Sequence, residues 1–77
     1  MEATRYTPQD LRLLASQPGV YRFYNDKGEL IYVGKAKNIR KRVSSYFSNS
    51  KQHNLKTRRM VAEIVAIEFT IVNSEYE

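Results

Sequence analysis

The run Gly19-Val20-Tyr21-Arg22-Phe23-Tyr24, the tetrapeptide Asn25-Asp26-Lys27-Gly28 and the run Leu30-Ile31-Tyr32-Val33-Gly34 decide the fold. Both runs are rich in β-branched and aromatic residues, which suit a half-buried pleated surface. The residues between them tolerate the left-handed backbone of a tight turn. The reading is therefore a β-hairpin. A two-residue turn pairs Asn25 with Gly28 and Tyr24 with Glu29. In that register Tyr21 lies directly opposite Tyr32, Phe23 opposite Leu30 on the same face, and Val20 opposite Val33 on the other. A bulge in the turn would slip the register by one residue and turn Tyr32 to the wrong face.

Outward from the hairpin, Thr7-Pro8-Gln9-Asp10 has the cap, first-turn proline and early acid of a helix start, with Leu11, Leu14 and Ala15 as its apolar stripe before Pro18-Gly19. From Lys37 the period changes. Ile39, Val43, Tyr46 and Phe47 fall at helical spacing, with Arg40, Lys41, Ser44 and Ser45 on the remaining arc. Ser48-Asn49-Ser50 breaks this helix and leads to a polar loop through Asn54. Leu55 to Ala66 reads as another helix, with Met60, Val61, Ile64 and Val65 inward. Ile67 to Val72 alternates at period two and places Ile67, Phe69 and Ile71 on one face. Ser74 and Glu77 match a capping box, so the chain is expected to stop as a further helix begins. The expected fold is α+β: one domain over residues 1–77, with a three-stranded antiparallel sheet (the hairpin plus the later strand) packed by about three helices.

Composition narrows the chemistry. The 77 residues contain no cysteine and one histidine, which excludes disulfides, thiol catalysis and a multi-histidine metal site. His53, in the polar loop, reads as an ordinary surface histidine. No apolar run is long enough to span a membrane and the polar N-terminus is no signal peptide, so a cytoplasmic location and no membrane partner are expected. Thirteen Lys and Arg against eight Asp and Glu give a net charge of +5. From Leu30 to Ala62 there is no acid at all, whereas Lys35, Lys37, Arg40, Lys41, Arg42, Lys51, Lys56, Arg58 and Arg59 fall in that stretch. Such a sector suits a polyanion, because neutralised phosphates release counterions. A solvated positive face is the plainer alternative.

The tyrosines carry the sharper expectation. Gly34 follows Tyr32-Val33 where a missing side chain permits close approach, Lys35 comes next, and Arg42 stands four residues before Tyr46 on one helix. Three phenols, a lysine and an arginine converging on one hollow would suit phosphoryl chemistry: a phenol moves a proton while cations stabilise its phenolate and the charge developing on phosphate. The alternative is an aromatic cross-strand pair that only stabilises the hairpin. Tyr24, on the opposite face, reads as packing, and Tyr6 has no assigned role.

Gly19-Val20-Tyr21 and Ile31-Tyr32-Val33-Gly34-Lys35-Ala36-Lys37, with Arg42 and Ser45-Tyr46, resemble the signature of the GIY-YIG nucleases. The string from Pro18 to Phe47 is most similar to the branch formed by the N-terminal domains of the UvrC-type excinucleases. The resemblance implies a metal-dependent endonuclease that makes the 3′ incision in nucleotide excision repair. Its substrate would be damaged double-stranded DNA and its partner UvrB, with UvrA acting upstream. It implies Tyr32 as general base, Lys35 as support for the phenolate, Tyr21 as a positioning group, Arg42 on the pentacovalent phosphate, Tyr46 as a hydrogen-bonding member and Gly34 as the space for close approach. Lys37, Arg40, Lys41, Lys51, Lys56, Arg58 and Arg59 would meet the DNA backbone. The family binds one divalent ion, Mg or Mn, through a glutamate beyond Glu77. The 77 residues are therefore expected to be a fragment that holds no metal and does not cleave, with Glu75 and Glu77 read as first-turn helix acids. A non-catalytic DNA-binding module, another structure-specific GIY-YIG nuclease and a protein-docking domain are the competing readings.

Overall fold

A computed structural model describes residues 5–48 and 53–72. Thr7 caps a short 3-10 helix, Pro8–Leu13, through a reciprocal box. Thr7 Oγ1 accepts from the Gln9 amide at 3.2 Å, and Asp10 Oδ2 accepts from the Thr7 amide at 3.1 Å. The start agrees with the sequence reading, but the helix is tighter and shorter than expected. Carbonyls that would continue it are used elsewhere: Gln17 O accepts from the Ile39 amide at 3.0 Å and Ala15 O from the Arg40 amide at 2.9 Å. They satisfy donors left open at the start of helix α1, Ile39–Ser48.

Strands β1, Gly19–Tyr24, and β2, Leu30–Ala36, form the hairpin, and β3, Ala66–Ile71, lies antiparallel on the other side of β1. The register differs from the expected one by two residues. The turn is one residue longer than expected: the Asn25 amide bonds Glu29 O at 3.1 Å, the Gly28 amide bonds Asn25 O at 3.0 Å, and Gly28 takes a φ of 78°. A second slip, between Phe23 and Tyr24, leaves Ile31 unpaired. Tyr21 therefore faces Gly34, Phe23 faces Tyr32, Tyr24 faces Leu30 and Val20 faces Lys35. One slip would have inverted the faces; two restore them. Tyr21 and Tyr32 share a face, diagonally rather than directly opposed.

Helix α2, Leu55–Glu63, is capped by Asn54, whose Oδ1 accepts from the Thr57 amide at 2.8 Å. It ends before the expected Ala66 because the Val65 amide donates to Tyr24 O at 2.9 Å, extending the sheet ladder. Val65 is exposed rather than inward. Tyr6 exchanges backbone bonds of 2.8 and 2.7 Å with Ile67 and stacks on Phe69, covering the outer edge of β3. The core is Leu14, Tyr21, Phe23, Ile39, Val43, Ile64 and Ile67. Fully burying a side chain of this kind is worth roughly 1.5–3 kcal/mol. The Ser74–Glu77 box, Lys51 and the acids Glu75 and Glu77 lie outside the described residues.

Candidate active site

Strand alternation gives the sheet two different faces. Tyr21, Phe23 and Tyr32 point to the face carrying α1, and Tyr46 descends from α1 onto them. Ring centroids of Tyr21, Tyr32 and Tyr46 are 6.1 Å apart in every pairing, an equilateral triangle of phenols. Phe23 packs against all three, edge-on to Tyr46 at 5.3 Å. The Tyr21 and Tyr46 hydroxyls are hydrogen-bonded at 3.0 Å.

Gly34 has an internal reason to be glycine. A Cβ there would stand 2.5 Å from Tyr21 Cζ and 3.0 Å from Cε1, so the Tyr21 ring lies across the residue it faces. The close approach expected at Gly34 is made by a tyrosine ring. Burial, the hydrogen bond to Tyr46 and the neighbouring phenols raise the Tyr21 pKa, with Arg42 opposing. Burial also raises that of Tyr46, where Tyr32 adds to the rise and the bond from Tyr21 and the Arg42 charge offset part of it. These two remain neutral phenols near neutral pH. Tyr32 differs in access: it is 39% exposed, against 2% for Tyr21.

The cations divide. Arg42, one helical turn before Tyr46, is exposed and its charge acts on both Tyr21 and Tyr46. Lys35 is not brought to the phenols. Strand β2 continues to Ala36 rather than ending at Gly34, and alternation places Lys35, opposite Val20, on the face away from Tyr32. Arg40 is committed to the fold: its guanidinium donates to Ser16 Oγ at 2.6 and 3.0 Å and to Arg12 O at 3.1 Å. Lys37, Lys41, Lys56, Arg58 and Arg59 are exposed, and none pairs with a carboxylate among the described residues.

The opposite face holds Glu68, nearly buried, which accepts from Arg5 Nε at 2.7 Å and Tyr24 Oη at 3.1 Å, with Arg22 Nε at 3.6 Å. Burial alone would raise its pKa, but the bonds from Arg5 and Tyr24 and the charges of Arg5 and Arg22 outweigh it and hold the carboxyl below its usual range. No cluster of three potential metal ligands occurs among the described residues. The phenol triangle includes no carboxylate and Glu68 is on the wrong face, so these residues do not by themselves make a divalent-cation site. A surface hollow of about 410 Å³ lies elsewhere, between the hairpin turn and the end of α2, lined by Asn25, Asp26, Lys27, Ala62, Glu63 and Val65.

One neighbour of the site was not legible. His53 stacks on Tyr46, centroids 5.8 Å apart and rings 25° from parallel, and its Nε2 lies 3.2 Å from Ser45 O. No sequence spacing signals this contact, since a loop rather than a helix or strand delivers the residue.

Residues 17–77 match the family model for the UvrC-like GIY-YIG domain. The chain belongs to this family. It is 61% identical over 67 residues to UvrABC system protein C of Cytophaga hutchinsonii, and 52% identical over 67 residues to that of Idiomarina loihiensis. Each alignment covers 87% of this chain but 11% of the relative, so the chain spans about a tenth of their length. Its fold matches the GIY-YIG N-terminal endonuclease domain of UvrC from Thermotoga maritima, solved with its catalytic divalent cation, magnesium. The TM-score is 0.71 at 34% identity, over 87% of this chain and 71% of that one. The three-stranded antiparallel sheet with its helices is thus the GIY-YIG fold, and among the described residues no helix is long and apolar enough to cross a membrane.

Proposed function

We propose that this GIY-YIG domain cleaves phosphodiesters for a UvrC-type repair nuclease, making the 3′ incision beside a lesion in double-stranded DNA in concert with UvrB, with UvrA acting upstream. The observation that carries this reading is the division of labour among the three phenols. Tyr21 is sealed and bonded to Tyr46, whereas Tyr32 stands open at the same triangle with Arg42 alongside.

Acting as the phenolate, its own proton having passed to solvent, Tyr32 takes the proton of the attacking water as the oxygen–phosphorus bond forms. Arg42 faces the negative charge that gathers on the phosphoryl oxygens, and the P–O bond to the leaving group then breaks. Tyr21 and Tyr46 fix the Tyr32 ring. Arg42 rather than Lys35 supplies the cation beside the phenols, and the exposed Lys37, Lys41, Lys56, Arg58 and Arg59 hold the DNA backbone. Lys51 joins them by its place in the sequence. A divalent cation would supply Lewis acidity at the phosphate, but the described residues do not fit it. This reading places the cation's carboxylate in the segment after β3.

The test is Tyr32→Phe in the full-length protein. Loss of 3′ incision by about 10²–10⁴-fold with DNA binding retained supports the assignment; normal incision overturns it. The exposed cations, without carboxylate partners among the described residues, favour a second reading, a DNA-binding module without chemistry. That reading gains if Arg42→Ala weakens binding at low salt and leaves turnover unchanged.

A further inference from the structure

The contact between His53 and Tyr46 has no part in the chemistry above, and it ties the residue ahead of the α2 cap to α1. Ser45 O is one of the last four carbonyls of α1, which have no amide partner within the helix. A carbonyl oxygen only accepts, so the 3.2 Å contact requires His53 Nε2–H as donor. The imidazole thereby closes the end of α1 from outside the helix. The same ring lies against the Tyr46 ring at 5.8 Å, and Tyr46 is the hydrogen-bond partner of Tyr21. His53 immediately precedes Asn54, the cap of α2, so its backbone is anchored where α2 begins.

We propose that His53 is a positioning residue of the active site: bonded to Ser45 O and stacked on Tyr46, it clamps the Tyr46 phenol and through it the hydroxyl of Tyr21. It touches neither substrate nor reacting atoms, and the inference rests on the nuclease reading above. The imidazole acts as a flat ring and a hydrogen-bond donor. Phenylalanine can replace its stacking but not its hydrogen bond; glutamine can replace the bond but not the stack.

The experiment uses the full-length protein labelled with 3-fluorotyrosine, with the Tyr46 resonance assigned by its loss in Tyr46→Phe. In His53→Ala the Tyr46 fluorine resonance shifts, kcat for incision falls about tenfold, and KM for the DNA stays within about twofold. His53→Phe returns the resonance toward its original position and recovers most of kcat, which excludes a general folding defect. An unchanged kcat in His53→Ala overturns the proposal, as does a lower kcat with an unmoved Tyr46 resonance. Failure of the nuclease reading looks different: Tyr32→Phe then incises normally, while the fluorine shift still reports whether His53 grips Tyr46.

Discussion

Tyr21 and Tyr24 leave the same strand by opposite faces, and their surroundings differ in kind. Tyr24 donates to Glu68, lies under the Arg5 guanidinium at 4.8 Å, and belongs to a set whose carboxylate is matched by two guanidinium groups. Tyr21 belongs to a set of three hydroxyl-bearing rings facing a cation with no carboxylate partner among the described residues. On one face the carboxylate is met by every donor around it, which is what a structural clamp needs. On the other a cation without a carboxylate partner among the described residues and one open phenol remain, which is what an incoming phosphate needs. Saturation separates the face that holds the fold from the face proposed for chemistry.

The contrast is broken most severely at Gly34. Gly34→Ala forces a methyl group against the sealed Tyr21 ring, which has no room to withdraw without losing Tyr46. Incision should fall by about 10²-fold as the triangle distorts, with a stability loss of about 1–3 kcal/mol measured by urea unfolding. A fully active, fully stable Gly34→Ala would mean that the ring does not lie there.

The clamp face should respond in stability alone. Glu68→Gln is expected to cost about 1–3 kcal/mol and to leave incision unchanged. Because the Glu68 pKa is depressed in the folded state, its contribution is present above the ordinary carboxylate range and is lost as pH falls through the folded value. Acid unfolding of Glu68→Gln should therefore have a flatter low-pH limb than the parent. Equal limbs would contradict the clamp.

The smallest effect belongs to the exposed cations. Lys56→Ala should weaken DNA binding less than tenfold and shrink the log–log salt slope by at most about 0.9, without shifting Tm. A specific loss at one DNA sequence would argue against a backbone contact.

Much of this contrast was legible in the residues. Alternation in β1 separates Tyr21 from Tyr24, helical spacing puts Tyr46 one turn from Arg42, and the Thr7 cap and the face of Ile67 and Phe69 follow from local rules. The register was not. Two one-residue slips depend on how Asn25 bonds Glu29 and where Ile31 bulges, and the shared face survived only because the slips add to an even number. Lys35 was misplaced because the length of β2 is set by pairing with Gly19 and Val20, which local composition does not encode. Arg40 looked like a free cation, but its partners Ser16 and Arg12 come from a segment more than twenty residues away. His53 needed the loop path itself.

Deleting one hydroxyl from each face, Tyr32→Phe beside Tyr24→Phe in the full-length protein, gives the most direct measurement. Incision of damaged duplex should collapse in the first with its melting temperature intact. It should persist in the second, whose only loss is about 1 kcal/mol of stability. Equal incision by both variants, or a defect confined to Tyr24→Phe, would contradict the assignment of chemistry to the phenol face.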